Sequence, residues 1–177
     1  ALELNKSSLV WTSANSFVST ANVVRLIGAE LDFVDIDPET WVISPETLEL
    51  KILEKLTLNE RLPDVVILVH FAGLVHRMPE FDHLAQKYNF RIVEDAAHAF
   101  GSKENADFVG GTKYSNACVF SFHAIKPMTT GEGGLITTNC SDFFESVKML
   151  RSHGITKNQQ LFKQKNDEPW YYEQHSL

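Results

Sequence analysis

The apolar run Val65–Val69 constrains the fold more than any other segment of the chain. It reads Val-Val-Ile-Leu-Val, without a polar residue at alternate positions, so a strand built from it is apolar on both faces. Such strands are typical of parallel sheets that helices cover on both sides. We therefore expect residues 64–70 to form a central strand of a covered sheet.

Strand and helix signals alternate on either side of this run. Further strands are predicted at residues 8–12, 31–37, 90–94, 118–122 and 135–138. Helices are predicted at residues 17–27, from Pro45 after the cap Ser44, from Pro79, and at 142–150 after the cap Ser141. The second helix has one apolar face: Leu48, Ile52, Leu53 and Leu56.

This alternation predicts an α/β fold, a three-layer sandwich whose mostly parallel sheet has helices on both faces. Ligands of such sheets bind at the carboxyl ends of the strands, where His70, Asp95 and Ser121 fall. We expect residues 1–157 to form one large domain, incomplete in itself, and residues 158–177 to form a polar, mobile loop and an aromatic tail.

Composition limits the partners. The chain has 177 residues, 44% of them apolar, and a net charge of -7, which argues against a sequence-independent grip on nucleic acid. Cys118 and Cys140 are expected to be buried free thiols in a reducing cytoplasm. No membrane-spanning run or signal-peptide pattern occurs, and the histidines lack metal-ligand spacing.

Lys126 lies in an unusual block. Residues 120–127 read Phe-Ser-Phe-His-Ala-Ile-Lys-Pro, and residues 129–134 read Thr-Thr-Gly-Glu-Gly-Gly. The apolar neighbours expected to shield its amine are Phe122, Ile125 and Pro127. Because desolvation makes a lysine a better nucleophile near neutrality, the block predicts an amine that anchors an aldehyde cofactor. The glycines indicate either a close backbone approach or a tight turn, and His123 could line the site.

An aldehyde cofactor such as pyridoxal 5'-phosphate needs an amine, a carboxylate for its ring nitrogen, a phosphate donor and a flat wall for the ring. The chain offers a candidate for each. The candidates are Lys126 as amine, Asp95 as carboxylate, Ser121 as phosphate donor, Phe17 as stacking aromatic, and His98 beside the phenolic oxygen if residues 96–99 form a turn.

Each candidate also has an ordinary structural interpretation. Most lysines are solvated, Asp95 could cap a helix, and Phe17 could belong to the core. Asp35 and Asp37 are more typical of a solvated strand end than of a catalytic pair, so they receive no role. The joint occurrence of the candidates, rather than any one of them, favours a site.

Five ordered blocks resemble the DegT/DnrJ/EryC1/StrS sugar aminotransferases, which depend on pyridoxal phosphate and have fold type I. The blocks lie at residues 17–22, 34–40, 94–101, 120–134 and 150–154. The resemblance implies the following roles: Lys126 as Schiff-base lysine, Asp95 as pyridinium partner, His98 beside the ring, Ser121 as phosphate ligand and Phe17 as stacking aromatic.

The Lys126 block and the closing Glu-Pro-Trp-Tyr-Tyr at residues 168–172 most resemble the branch that aminates C4 of nucleotide-linked 4-keto-6-deoxy sugars for pseudaminic acid. A sister branch dehydrates sugars at C3 and has histidine in place of the lysine, so Lys126 favours transamination. The resemblance implies transfer of an amino group from an amino acid, with glutamate expected, to a nucleotide-linked keto-deoxy sugar.

The chain departs from the family pattern at both ends. A Gly-Thr or Gly-Ser phosphate-binding turn would precede Ala1, and a Gly-Tyr-Asn-Tyr-Arg motif and a small C-terminal domain would follow Leu177. The resemblance also implies homodimers that share residues between active sites. We therefore expect a large-domain fragment that retains Lys126 and Asp95 but is catalytically impaired.

Of the two alternatives to the aminotransferase, only the first stays open. A non-catalytic α/β binding module of the same fold would keep the sheet without the chemistry. A nucleotide-binding fold of Rossmann type would need Gly-x-Gly-x-x-Gly after the first strand, and the sequence has no such turn there.

Overall fold

A computed structural model describes residues 1–75, 77–166 and 168–175. The chain divides into two compact units, one formed by Leu4–Asn139 and the other by residues 140–177 with residues 1–3. The division of the sequence into domains at residue 157 stays a prediction.

The described residues of the larger unit form eight strands. They are β1 Leu9–Ser13, β2 Glu30–Val34, β3 Val65–Val69, β4 Arg91–Asp95, β5 Lys103–Glu104, β6 Asp107–Phe108, β7 Ala117–Ser121 and β8 Gly134–Thr137. Six of them form one sheet in the order β2-β1-β3-β4-β7-β8, while β5 and β6 pair with each other. All neighbours in the six-stranded sheet are parallel except β8, which is antiparallel to β7. The predicted central strand is therefore confirmed as β3.

In the part of the chain that the structure describes, three α-helices accompany this sheet: α1 Val18–Leu26, α2 Pro45–Thr57 and α3 Met78–Tyr88. Helix α2 begins where predicted, because Ser44 and Thr47 exchange side-chain and backbone hydrogen bonds and Pro45 occupies the first turn. Helices α2 and α3 pack on one face of the sheet through a shared core that includes Trp11, Leu48, Ile52, Phe81 and Ile92.

Two leucines of α2 do not lie in that core, contrary to the predicted apolar face. Leu48 and Ile52 are fully buried, but Leu53 is 48% exposed and Leu56 is 47% exposed. Leu53 follows Ile52 directly, which turns its side chain about 100° away from the core. Leu56 lies in the last turn of the helix.

Helix α1 lies on the opposite face. Thr20 in its first turn contacts Asp95 of β4, and Val24 is 2% exposed. Glu94, which precedes Asp95, contacts His70 on the face that α2 and α3 cover. Since neighbouring side chains of a strand point to opposite faces, Asp95 points to the face where α1 lies. Helices on both faces of a mostly parallel sheet confirm the predicted fold class.

The smaller unit contains α4 Ser141–Arg151 and an antiparallel pair, β9 Ile155–Thr156 with β10 Glu173–Gln174. The backbone amides of Lys163 and Gln164 donate to the Glu173 carboxylate, which ties the polar segment to β10. The cap of α4 is Cys140 rather than the predicted Ser141, and its side chain makes no capping bond.

The two thiols differ. Cys118 is fully buried in β7, where desolvation and then the charges of Glu94 and Asp95 raise the pKa of its thiol. Cys140 is exposed, so the prediction that both are buried is wrong for Cys140, which precedes a helix instead of lying in a strand. Within the described residues, none of the helices combines the length and the apolar character needed to cross a membrane.

Candidate active site

The strands β4 and β7 bring two predicted site residues to one edge and one face of the sheet. Asp95 pairs in register with Val119, and Ser121 follows Val119 by two residues. Since side chains two residues apart share a face, Asp95 and Ser121 project from the same face at the carboxyl ends of neighbouring parallel strands. His70 also follows the end of β3, as predicted.

Both carboxylate oxygens of Asp95 are held by donors from different parts of the chain. The hydroxyl of Thr20 donates to Oδ2 at 2.7 Å, and the backbone amide of Ala97 donates to Oδ1 at 3.1 Å. An ionised carboxylate offers about four acceptor positions, so each oxygen keeps capacity for another donor.

Glu94 supports the end of the same strand from the other face. Its Oε2 lies 2.7 Å from Nε2 of His70, and its Oε1 accepts from the hydroxyl of Ser115. Glu94 is 5% exposed and His70 is 5% exposed, so this contact is a buried polar link between β3 and β4. Sequence reasoning placed His70 at a strand end but did not pair it with Glu94.

Phe17 and Thr20 occupy the start of α1, close after β1. Phe17 is the N-cap of the helix and is 70% exposed, whereas Thr20 is 5% exposed and turned toward Asp95. The predicted strand-to-helix junction is therefore confirmed, with the aromatic ring outside the core. Thr20 received no role from the sequence, although it stands in a block that resembles the family.

His98 lies in the turn that follows Asp95. The amide of Ala99 donates to the carbonyl of Ala96 at 2.9 Å, so the turn predicted for residues 96–99 is present. Nδ1 of His98 accepts from the amide of Ala72 at 3.3 Å, which leaves Nε2 as the ring nitrogen that can donate to another group. The ring also lies 6.1 Å from the ring of Phe71.

Lys126 lies in the connection between β7 and β8 and is half-buried. Its amide donates to the carbonyl of His123 at 2.9 Å, which closes a tight turn. The predicted shielding is wrong for Ile125, which is 81% exposed, and Pro127 is exposed as well. The turn at His123 points these residues outward, so Phe122 is the half-buried member of the three expected neighbours.

Phe122 and the glycines fix the base of this connection. The amide of Phe122 donates to the carbonyl of Gly133 at 2.8 Å, and its carbonyl accepts from the amide of Thr130 at 3.0 Å. A Cβ at Gly133 would lie 2.5 Å from Oγ1 of Thr130, which indicates a close approach. Gly131 has a φ of +83° with open space around it, which indicates a turn, so each sequence interpretation holds for one glycine.

Two other predicted groups lie beside this connection. The hydroxyl of Ser121 accepts from the amide of His123 at 3.4 Å, which leaves its own hydrogen available for another acceptor. Nε2 of His123 lies 3.7 Å from a carboxylate oxygen of Glu132, and its Nδ1 faces the amide of Ile125. The edge thus combines an amine, a held carboxylate, a hydroxyl, an imidazole and an exposed aromatic ring.

Comparison with known proteins gives this arrangement a family. The profile of the DegT/DnrJ/EryC1/StrS aminotransferase family matches residues 1–168. A Campylobacter jejuni protein, UDP-4-amino-4,6-dideoxy-N-acetyl-beta-L-altrosamine transaminase, is 36% identical over 152 residues, which are 86% of this chain and 39% of the relative.

Solved structures agree with this match. Helicobacter pylori PseC, an aminotransferase involved in the biosynthesis of pseudoaminic acid, aligns with a TM-score of 0.80 and 34% identity, covering 96% of this chain and 41% of that one. NtdA from Bacillus subtilis with bound cofactor PMP aligns with a TM-score of 0.75 and 27% identity, covering 93% of this chain and 35% of that one. The chain thus spans about two fifths of the length of such relatives. Profile, sequence and architecture converge on one conclusion: this chain belongs to the DegT/DnrJ/EryC1/StrS aminotransferase family.

Proposed function

We propose that the protein is a pyridoxal-phosphate-dependent aminotransferase that moves an amino group from an amino acid to a nucleotide-linked keto-deoxy sugar. The observation that carries the proposal is the shared edge: Asp95 and Ser121 leave neighbouring strands on one face, and Lys126 follows in the next connection. A flat cofactor bound at the carboxyl ends of the strands needs an amine, a carboxylate and a phosphate donor around it, and this placement supplies all three at one edge of the sheet.

The donor set fits pyridoxal phosphate. Asp95 retains acceptor capacity beyond Thr20 and Ala97, as a contact with a protonated ring nitrogen requires. Ser121 keeps a hydroxyl hydrogen for a phosphate oxygen. The exposed ring of Phe17 offers a flat apolar wall.

When bound, pyridoxal phosphate supplies the electron sink that stabilises a carbanion next to nitrogen. Lys126 would hold it covalently through Nζ and, once an amino donor displaces that amine, Nζ would move the proton between the reacting carbons. Asp95 would keep the ring nitrogen protonated through its negative charge. His98 would donate from Nε2 to the phenolic oxygen, because its Nδ1 already accepts from Ala72.

The sugar substrate is proposed from the named activity of the Campylobacter jejuni relative and from the pathway named for Helicobacter pylori PseC. We infer a nucleotide-linked 4-keto-6-deoxy sugar as acceptor and glutamate as donor. We also infer that the active protein is a homodimer, as the family resemblance implies, which light scattering of the purified protein would measure.

The test is to titrate the purified protein with pyridoxal phosphate, reduce it with borohydride and locate the modified lysine by mass spectrometry. We expect visible absorbance and one modified residue, Lys126. Lys126→Ala should abolish the modification, while Lys157→Arg, a change at an exposed lysine, should leave it intact. Adding glutamate should bleach the visible band, and a nucleotide-linked 4-keto-6-deoxy sugar should then restore it.

Each part of the proposal can fail separately. Modification spread over several lysines, or retained in Lys126→Ala, would contradict the cofactor role of Lys126. A band that glutamate bleaches but no keto sugar restores would overturn the substrate assignment alone. A protein that stays colourless would support one of the alternatives instead, an impaired large-domain fragment or a non-catalytic module of the same fold.

A further inference from the structure

Two hydroxyl groups connect the start of α1 to Asp95. Oγ of Ser16 lies 2.8 Å from Oγ1 of Thr20, and Oγ1 of Thr20 lies 2.7 Å from Oδ2 of Asp95. Thr20 is 5% exposed, while Ser16 and Asp95 are half-buried, so the hydroxyl of Thr20 is the part of this chain of contacts best shielded from water. This chain of contacts joins residues far apart in sequence at the point where the site carboxylate leaves β4.

The direction of the hydrogens follows from the chemistry of the groups. An ionised carboxylate only accepts, so the hydrogen of Thr20 must go to Asp95. The oxygen of Thr20 then accepts from the hydroxyl of Ser16, whose single hydrogen serves both Thr20 at 2.8 Å and the carbonyl of Phe17 at 3.2 Å. A hydroxyl that is itself hydrogen-bonded in this way is a stronger donor, because successive bonds polarise one another.

The contact also sets the orientation of the carboxylate. Thr20 holds Oδ2, and the amide of Ala97 holds Oδ1. Rotation about the Cβ–Cγ bond would break at least one of these bonds, so the plane of the carboxylate is fixed before any ligand arrives. The hydrogen bonds of Asp95 thus come from α1 on one side and from the turn after β4 on the other.

Phe17 caps the start of helix α1, and Thr20 lies in the first turn of that helix. Phe17 faces outward at 70% exposure while Thr20 faces the sheet at 5% exposure. The amide of Thr20 donates to the carbonyl of Phe17 at 3.1 Å, so the bond from Thr20 to Asp95 also holds the backbone of Phe17 relative to the carboxylate. The hydroxyl of Thr20 therefore links the position of Phe17 to the position of the Asp95 carboxylate.

We propose that Thr20, supported by Ser16, is a positioning residue that aims the Asp95 carboxylate at the ring nitrogen of the bound cofactor and sets its distance from Phe17. The inference rests on the proposed cofactor function. Thr20 would act through Asp95 and α1, without touching the reacting atoms.

The test compares Thr20→Val, which keeps the shape but removes the hydroxyl, with Thr20→Ser, which keeps the hydroxyl. In the unloaded protein, hydrogen exchange of the Ala97 amide reports how firmly the carboxylate is held. In titrations with pyridoxal phosphate, the dissociation constant and the wavelength of the visible band report whether the Asp95 carboxylate is oriented toward the ring nitrogen. We expect Thr20→Val to speed Ala97 exchange and to weaken binding, each about tenfold, and to shift the band.

Thr20→Ser should stay close to the parent protein in all three measurements, and Ser16→Ala should fall between. Unchanged Ala97 exchange and an unchanged band in Thr20→Val would overturn the proposal, as would an equal loss in Thr20→Ser, which would indicate packing of the methyl group. If the parent protein does not bind pyridoxal phosphate, the proposed function fails, and the exchange measurement still decides whether Thr20 fixes the carboxylate.

Discussion

The two ends of the candidate site are built differently. Asp95 ends a strand with neighbours on both sides, and both of its carboxylate oxygens accept hydrogen bonds. Lys126 lies in a connection whose tip is exposed, with Ile125 at 81% exposure and Met128 at 43%. The carboxylate end is held by hydrogen bonds from two separate elements, whereas the lysine end is held by hydrogen bonds within its own connection.

This difference has a physical origin in the sheet. A strand end is fixed by every ladder bond behind it, and Glu94 and His70 add a buried link on the opposite face. The connection between β7 and β8 is fixed mainly by bonds of Phe122 to Gly133 and Thr130. Local opening therefore costs less at the lysine end, as expected for a group that must move during chemistry.

The largest effect is expected from breaking the support under Asp95. His70→Leu leaves one oxygen of a buried carboxylate without its partner, which should lower the free energy of unfolding by about 3 kcal/mol. Urea denaturation measures it. His83→Leu, at an exposed histidine of α3, should change stability by less than about 0.5 kcal/mol. Equal stability of the two variants would contradict the idea that the contact between Glu94 and His70 stabilises the end of β4.

A second experiment separates packing from ligand binding at α1. Phe17→Ala should leave the unfolding midpoint unchanged, because the ring is 70% exposed, but should weaken pyridoxal phosphate binding about tenfold through lost stacking. Leu26→Ala, at 84% exposure on the same helix, is the matched control and should affect neither quantity. Equal binding by both variants would remove Phe17 from the site.

The lysine end can be loosened selectively. The hydroxyl of Thr129 donates to the carbonyl of Phe122 at 3.0 Å and accepts from the amide of Gly131 at 2.9 Å. Thr129→Val should speed hydrogen exchange of the Gly131 amide about fivefold without lowering global stability. Thr129→Ser should restore slow exchange. A fall in global stability equal to that of His70→Leu would mean that the two ends do not differ.

The smallest effect concerns a surface ion pair on the α2 and α3 side. The guanidinium of Arg77 lies 2.7 Å and 2.5 Å from the carboxylate oxygens of Glu46, and this hydrogen bonding lowers the pKa of Glu46 to about 2. Because the folded-state pKa is below the ordinary 4.5, the contribution is present above pH 4.5 and is lost as pH falls through about 2.

Glu46→Gln should therefore flatten the acid dependence of the unfolding midpoint between pH 4.5 and about 2, whereas Glu54→Gln on the same helix should not. The effect should be small and should shrink in high salt, because both groups are exposed. An effect as large as that of His70→Leu would show that surface charges, and not the buried link, dominate this side of the sheet.

The sequence predicted the sheet well because its signals are local and redundant. Val65–Val69 is apolar throughout, and Ser44 with Pro45 marks a helix start, so the strand β3 and the start of α2 match within a residue. The order of the strands and the antiparallel β8 could not be derived from these signals, because pairing depends on contacts distant in sequence.

The site was predicted unevenly for the same reason. Asp95 and Ser121 follow apolar runs, so their place at strand ends could be inferred. Thr20 could not, because its partner lies 75 residues away and the spacing of Ser16 and Thr20 is common in helices. The exposure of Ile125 was not predicted, because the sequence of a tight turn does not indicate whether an apolar side chain in it points toward the core or toward solvent.

The difference in exposure between the two cysteines allows unfolding to be followed by thiol labelling. Cys140 is exposed, while Cys118 is fully buried and its thiol pKa is raised by that burial. A maleimide dye should attach at Cys140 alone in the native protein, because Cys140 is accessible while burial and the raised thiol pKa both protect Cys118. The rate at which a second dye attaches at Cys118 would then measure the rate at which β7 opens, with no need for an engineered cysteine.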